Sequence, residues 1–219
     1  MHDTSLTNAK FFFDTYQNSI RSNTEKVKVI EIGSQDVNGT IRSVCPADFD
    51  YVGLDFQDAK GVDIVITDPY KLPFANESVD VVVSNSCFEH SELFWVLFLE
   101  VLRVLKPTGL FYLNAPSNGA YHRYPVDCWR FYPDSGHALI LWARRNGIDS
   151  LLLESYTSHK KMDIWNDFIA VFLKERKFEH KFPARIVEKI SNFDNGWTSK
   201  SNYLLNHQPF PEDLRSPQF

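Results

Sequence analysis

The stretch VKVIEIGSQDVNGTIR, from Val27 to Arg42, decides the fold that this sequence predicts. Its first residues, Val27–Ile32, are a short apolar run that indicates a buried strand. Gly33 follows at once and allows a tight turn, and a polar stretch then ends at Asn38-Gly39. Such a turn at the carboxyl edge of a parallel sheet predicts a ligand site, although an ordinary strand-to-helix turn has nearly the same pattern.

The rest of the chain repeats this alternation of short apolar strands with amphipathic helices, which indicates parallel pairing and an α/β domain. The expected strands are 51–55, 62–68, 79–85 and the run LFYLNAP ending at Pro116, followed by 150–157 and 166–173 as antiparallel edge partners. The expected helices are 5–23, a short one through Val44, 91–105 with Ser91 as its cap, 136–146 and about 184–192. A weakly structured tail, NHQPFPEDLRSPQF, is expected to follow.

Length and composition set outer bounds on function. A chain of 219 residues with a net charge of −5 suits one domain and gives no basic surface for nucleic acid. Its three cysteines have no paired spacing, so we predict neither a disulfide framework nor a metal site. The N-terminus has no export signal and no apolar run is long enough to span a bilayer, so we expect a cytoplasmic protein without a membrane partner. A homodimer is an oligomeric state that the sequence leaves open.

An acidic residue at the end of the second strand points to an adenosine ligand. Asp55 closes the run YVGLD about twenty residues after the first turn, where a carboxylate accepts hydrogen bonds from a ribose diol. Phe56 beside it suits the face of an adenine ring. The alternative is that Asp55 only caps a turn.

Two further segments carry a family resemblance. DPYKLPFANESVDVVVSNSCFEH (Asp68–His90) and RVLKPTGLFYLNAP (Arg103–Pro116), taken with the first turn, resemble class I S-adenosylmethionine-dependent methyltransferases, in particular the small-molecule, methyltransferase type 11-like branch. The resemblance covers about Val27 to Pro116. It implies a Rossmann-like three-layer sandwich, with a mostly parallel seven-stranded sheet and an antiparallel last strand, and S-adenosylmethionine as the cofactor.

The same resemblance implies which residues bind the cofactor. They would come from the first turn and from the ends of the next three strands: Glu31, Gly33, Ser34, Gln35, Asp55, Phe56, Asp68, Pro69, Tyr70, Asn85 and Ser86. The sequence departs from the family where Gln35 stands in place of a second glycine, which puts the backbone path of the turn in question. We further expect residues 1–24 to form a helical lid over the cofactor. Residues 25–174 would form the methyltransferase domain, with an acceptor-binding insertion at about 117–136, and 175–219 a C-terminal extension.

The insertion contains HRYPVDCWRFYP, which combines a base, guanidinium groups and aromatic rings. This segment is loosely similar to one in methyltransferases of bacterial glycan and natural-product pathways. We predict His122 as the catalytic base, with Asp127 orienting it or acting as the base itself, and His90 as a further candidate. Arg123, Tyr124, Trp129 and Arg130 are the predicted acceptor contacts. The alternatives are a packed loop with Arg–Asp pairing and, for Glu89-His90, the start of a helix.

These observations predict methyl transfer to a small molecule, with a hydroxyl of a sugar, a nucleotide-linked sugar or a related metabolite as the acceptor. One alternative is an NAD(P)-dependent oxidoreductase on a Rossmann-type sheet, which predicts a first turn richer in glycine. Another is a methyltransferase-like binding module that holds the cofactor without doing chemistry.

Overall fold

The centre of the molecule is a parallel sheet, as the alternating pattern predicts. The structure is a computed structural model that describes residues 3–160 and 164–208. Its parallel strands are β1 (Lys28–Ile32), β2 (Asp50–Asp55), β3 (Ile64–Val65), β4 (Val79–Asn85) and β5 (Leu105–Pro116). β4 is buried at every residue and lies between β1 and β5, which explains its run of valines.

Three antiparallel strands complete the sheet on the β5 side. They are β6 (Leu151–Ser158), β7 (Asp167–Leu173) and β8 (Phe193–Thr198), and the full order is β3-β2-β1-β4-β5-β7-β6-β8. The predicted α/β class and antiparallel edge are therefore confirmed, but the sheet has eight strands where seven were expected. The extra strand is β8, which follows the helix expected over about 184–192, where we had predicted no further strand.

The prediction of a helix over about 184–192 is wrong, because buried polar contacts hold most of that segment in a non-helical conformation. It contains only a short 3-10 helix, Ile186–Glu188. The guanidinium of Arg185 is buried and donates to the carbonyl oxygens of Leu153 and Phe182. The buried carboxylate of Glu154 accepts from the N–H groups of Ile186 and Val187. These contacts set the path into β8.

Helices cover both faces of the sheet and make three layers. The helices are α1 (Asp3–Arg21), α2 (Phe94–Val104) and α3 (Ser135–Arg145). α2 and α3 pack on the face that contains Val82, whereas α1 packs on the face that contains Val81 and Val83. Alternate residues of one strand thus serve opposite cores. None of the described helices has the length and apolar character that crossing a membrane requires.

The leading helix belongs to the core, which corrects its expected role as a lid. Phe12 and Tyr16 are buried against the sheet, where the Phe12 ring lies 4.9 Å from that of Tyr112 and the Tyr16 hydroxyl donates to Glu154. No described residue of α1 lines the ligand cavity. The predicted division at residues 24 and 174 stays a prediction, although β8 shows that the last segment shares the same sheet. Residues 209–219 of the expected tail lie outside the described residues.

Two element boundaries differ from the prediction because of neighbouring loops. α2 begins at Phe94 without a side-chain cap, and Ser91 instead ends a 3-10 helix over Phe88–His90. This short helix is held by residues 128 and 129, whose N–H groups both donate to the carbonyl oxygen of Glu89. β3 is only two residues long, since the chain leaves the sheet edge and turns at Asp68.

Candidate functional site

A cavity of about 480 Å³ opens at the carboxyl ends of β1, β2 and β4. The strand order reverses direction between β1 and β4, and the crevice at such a reversal is where open parallel sheets bind ligands. Ile32, Asp55 and Asn85 end these three strands, and all three line the cavity. The position of the cavity therefore follows from the topology of the sheet.

The turn after β1 passes close to the end of β4, and only glycine fits there. Gly33 has φ +79°, and a Cβ on it would lie 2.7 Å from the Cβ of Cys87. The N–H groups of Gly33 and Ser34 both donate to the carbonyl oxygen of Leu54, each at 3.0 Å. The chain then runs as irregular backbone until the 3-10 helix Ile41–Val44, so the predicted short helix is only these four residues.

Two buried carboxyl groups lie on the strand side of the cavity. Glu31 is 2% exposed and accepts from the Tyr51 hydroxyl at 2.7 Å, and burial raises its pKa to about 7. Asp55 accepts from the N–H groups of Gln35 (3.1 Å) and Phe56 (2.8 Å). A carboxylate oxygen with one such donor retains acceptor capacity, so Asp55 can also receive hydroxyl groups of a ligand.

Two residues that line the cavity have buried polar atoms without a partner. Ser34 Oγ and Asn85 Oδ1 have no hydrogen-bond partner within the described part of the chain. Buried polar atoms nearly always find a partner, so these two indicate a ligand with polar groups of its own. Ile66, Pro69 and the half-exposed ring of Phe56 supply apolar walls. The residues present therefore fit an adenosine-bearing ligand with cationic groups, such as S-adenosylmethionine.

The structure brings the predicted cofactor residues together with one exception. All of them line the cavity except Asp68. Its carboxylate accepts from the N–H group of Tyr70 at 2.9 Å and stabilises the turn after β3, and its contact with the adenine amino group stays a prediction. Ile66, which was not among the predicted residues, lines the cavity two residues earlier. The binding role of the other residues stays a prediction.

The predicted insertion closes the cavity on the side opposite the strands. Tyr124, Pro125 and Val126 line it, and the Tyr124 hydroxyl donates to Gln35 Oε1 at 2.6 Å. His90 also lines the cavity, and its Nδ1 contacts the carbonyl oxygen of Val126. Partial burial lowers the pKa of His90, so its ring is neutral near pH 7.

Asp127 does not line the cavity and is unsuited to act as a base, which corrects one of the predicted roles. Its carboxylate forms a bidentate pair with Arg130 (2.6 and 2.9 Å) and accepts from the N–H group of His122 at 2.7 Å. The hydrogen bonds from Arg130 hold the pKa of Asp127 at about 2, so it has little affinity for a proton at neutral pH. The alternative of a loop held by Arg–Asp pairing describes this contact.

The other predicted insertion residues also hold the loop rather than line the cavity. Arg123 Nε donates to the carbonyl oxygen of Pro125, and Trp129 Nε1 donates to that of Ser91. His122 is 40% exposed at its side chain, and its ring centroid lies 5.0 Å from that of His90. Of the four predicted acceptor contacts, only Tyr124 borders the cavity. His122 does not border it but packs against His90, which does.

Glu89 is a buried acid whose environment the sequence does not reveal. It is 1% exposed, burial raises its pKa to about 8, and its Oε2 has no hydrogen-bond partner among residues 3–160 and 164–208. Its Oε1 lies 3.6 Å from Nε2 of His90. The signal in the sequence was the dipeptide Glu89-His90 directly after the fourth strand, which we had weighed as a helix start.

Comparisons with known proteins agree with this geometry. A model of the methyltransferase domain family matches residues 36–113, which run from the first turn to β5. Among curated protein sequences, none matches this chain.

Solved structures show the same fold at low identity. The Burkholderia thailandensis 1,6-didemethyltoxoflavin-N1-methyltransferase, with 1,6-didemethyltoxoflavin and S-adenosylhomocysteine bound, has a TM-score of 0.56 at 11% identity and covers 78% of both chains. A SAM-dependent methyltransferase from Methanosarcina mazei has a TM-score of 0.50 at 12% identity, covering 69% of this chain and 94% of its own. The [4+2]-cyclase SpnF has a TM-score of 0.52 at 13% identity, covering 74% and 81%.

Proposed function

The chain contains a class I S-adenosylmethionine-dependent methyltransferase domain and is a methyltransferase, and from that premise we propose that it methylates a hydroxyl group of a small molecule. The acceptor class that we propose is a sugar, a nucleotide-linked sugar or a related metabolite. The premise sets aside the NAD(P)-dependent oxidoreductase alternative. When bound, the cofactor supplies an electrophilic methyl group on its sulfonium.

The observation that carries the proposal is the neutral imidazole of His90 in the cavity wall. Its Nδ1 faces the carbonyl oxygen of Val126, so the proton is on Nδ1 and the lone pair is on Nε2. A hydroxyl acceptor must lose its proton as its oxygen attacks, whereas a neutral amine needs less help. His90 Nε2 is the group that takes this proton, and the nearby ring of His122 supports it across the loop.

The chemistry of the insertion supports the acceptor class. Tyr121, Trp129 and Tyr132 expose part of their rings on this segment, and aromatic faces suit the apolar faces of sugar rings. Asp127 and Arg130 are occupied with each other, so they set the shape of the loop and do not offer a free charge. A net charge of −5 disfavours a nucleic-acid acceptor.

Transfer of labelled methyl groups from S-adenosylmethionine tests the proposal. We expect product with free sugars or nucleotide-linked sugars and none with simple amines or RNA. His90→Gln should lower kcat at least about 100-fold, in the range of lost general-base catalysis, with unchanged affinity for S-adenosylhomocysteine. His180→Gln, which changes an exposed histidine of the 3-10 helix Arg176–Lys181, is the matched control and should keep full activity.

Other outcomes of that experiment would identify other functions. Methylation of amines but not hydroxyls would overturn the acceptor class. Calorimetric binding of S-adenosylmethionine and S-adenosylhomocysteine with no transfer to any acceptor would favour the binding module. The [4+2]-cyclase with this fold illustrates that a related architecture serves a protein that its name does not describe as a methyltransferase.

A further inference from the structure

We propose that Glu89, His90 and His122 form a binding site for a zinc-like divalent metal ion at the edge of the cavity. The sequence alone predicted no metal site. Binding of the ion does not depend on the identity of the acceptor, and any part of the ion in catalysis rests on the proposed function. Because the ion would occupy Nε2 of His90, His90 acts as the base of the proposed function only in the metal-free chain.

The first support is convergence. Each of the three side chains offers a ligand atom, and these atoms lie within 4.8 Å of one another. Two come from the 3-10 helix Phe88–His90, and the third comes from the insertion. Two imidazoles with one carboxylate are a ligand set that zinc uses at catalytic sites.

The second support is the way the imidazoles are held. Nδ1 of His90 contacts the carbonyl oxygen of Val126, and Nδ1 of His122 lies 3.2 Å from that of Ala120 and 3.5 Å from Asp127 Oδ2. Metal-binding histidines nearly always donate their other ring N–H to a carbonyl or carboxylate oxygen. Both rings therefore keep the Nε2 lone pair free for a ligand.

The third support is the buried carboxyl group. Glu89 is 1% exposed, and its Oε2 has no hydrogen-bond partner among the residues that the structure describes. Burying a carboxyl oxygen without a partner raises the free energy of the folded chain, and a bound cation would supply the missing partner. Asp127 adds a second acid nearby, and the charge of Arg130 is partly offset because its guanidinium is paired with that carboxylate.

The geometry needs only a small closure. Ligand atoms on a tetrahedral zinc ion are about 3.3 Å apart, given bond lengths near 2.0 to 2.1 Å. Glu89 Oε1 and His90 Nε2 are already 3.6 Å apart. The ligand atom of His122 must approach the other two by about 1.5 Å at most, which its exposed place on a loop allows. Three protein ligands leave a fourth position for water or an acceptor hydroxyl, and His90 places that position at the cavity.

Calorimetric titration of chelator-treated, full-length protein with Zn²⁺ tests the site. We expect a single ion to bind each chain. Glu89→Gln and His122→Ala should each weaken the affinity at least about tenfold, because each removes a ligand. Mg²⁺ should bind far more weakly, since it prefers an all-oxygen octahedral set.

Two matched variants separate this site from other ligands. Cys128→Ser removes a thiol but keeps the backbone N–H group that donates to the carbonyl oxygen of Glu89, and His180→Ala removes an exposed imidazole elsewhere. Both variants should therefore bind Zn²⁺ as the unmodified protein does. Circular dichroism and S-adenosylhomocysteine affinity verify that each variant is folded. Because metal binding is measured without an acceptor, its failure is distinct from failure of the proposed function.

Three results would overturn the site. The first is equal zinc affinity in Glu89→Gln, His122→Ala and the unmodified chain. The second is a loss of binding confined to Cys128→Ser. The third is a folded, cofactor-binding protein that takes up no zinc.

Discussion

The two walls of the cavity are built in different ways. The strand wall consists of Glu31–Gln35, Asp55–Phe56 and Asn85–Ser86, and the loop wall consists of His90 with Tyr124–Val126. The strand wall sits on the ends of parallel strands, whose backbone hydrogen bonds set each position. The loop wall is held by contacts outside the sheet, chiefly the Asp127–Arg130 pair and the bonds to Glu89.

The comparison shows for which wall the residue pattern alone predicts the side chains that border the cavity. In the strand wall, each predicted cofactor residue borders the cavity. The one predicted cofactor residue that does not border it, Asp68, lies in the turn beyond the short edge strand β3. In the insertion, most predicted residues form hydrogen bonds within the loop and do not border the cavity.

The largest effect should come from the close approach in the strand wall. Gly33 and Gly147 both have φ +79°, but a Cβ on Gly33 would clash with Cys87, whereas a Cβ on Gly147 meets nothing within 4 Å. Each alanine substitution costs about 1–2 kcal/mol for the left-handed backbone. Gly33→Ala should lose about 1–3 kcal/mol more, from overpacking, in the free energy of unfolding measured with urea. Equal losses would show that the approach to Cys87 is not restrictive.

The second effect concerns the acid at the end of β2. Asp55→Ala should weaken S-adenosylhomocysteine binding about 100-fold in calorimetry, because charged hydrogen bonds contribute about 1.5–3 kcal/mol each. Asp68→Ala is the matched control and should change the affinity less than about twofold, since Asp68 does not border the cavity. A strong effect of Asp68→Ala would restore its predicted role. Asp55→Asn, which keeps one acceptor for Gln35 or Phe56, guards against simple unfolding.

The third effect is a difference between the two walls in how the free energy of unfolding depends on pH. The pKa of Glu31 is about 7 in the folded chain and near 4.5 ordinarily, so the native state binds more protons between these values. The free energy of unfolding should therefore fall as pH rises through this window, by on the order of 3 kcal/mol for Glu31. The difference between the unmodified chain and Glu31→Gln isolates this contribution, because Glu89 and Glu154 remain in both.

The matched variant for that pH profile is Asp127→Asn in the insertion. The pKa of Asp127 is about 2, so its stabilising contribution is lost only as pH falls through that value. Asp127→Asn should consequently lower stability by a constant amount from about pH 5 to about pH 8 without changing the slope. A changed slope with Asp127→Asn, or an unchanged one with Glu31→Gln, would contradict the assignment of the titrating group.

The smallest effect lies where the two walls touch. Tyr124→Phe removes the hydroxyl that donates to Gln35, an exposed hydrogen bond that contributes about 0.5–1 kcal/mol. S-adenosylhomocysteine affinity should fall about threefold, and Tyr121→Phe on the same segment should leave it unchanged. Identical affinities for Tyr124→Phe and the unmodified chain would mean that the walls bind independently.

The residue pattern alone was enough to give the α/β class, the parallel core and the edge of the sheet at which the cavity opens. The run of valines in β4 and the apolar residues of β1 can be recognised in the sequence because a strand buried on both faces is mostly apolar. Gly33 and Asp55 are readable because strand ends in a parallel sheet meet at one edge. Each of these inferences rests on local chain geometry, so the spacing of residues is enough.

Only the tertiary structure decided which insertion side chains face the cavity, that Glu89 is buried beside His90, and that Phe193–Thr198 joins the sheet. A loop side chain has several partners within reach, and their interaction free energies differ by only a few kcal/mol. Arg130 reaches Asp127, and Arg185 reaches a carbonyl oxygen 32 residues away in sequence. Such choices depend on the packing of the whole chain, because nothing in the spacing of the residues encodes which partner lies closest.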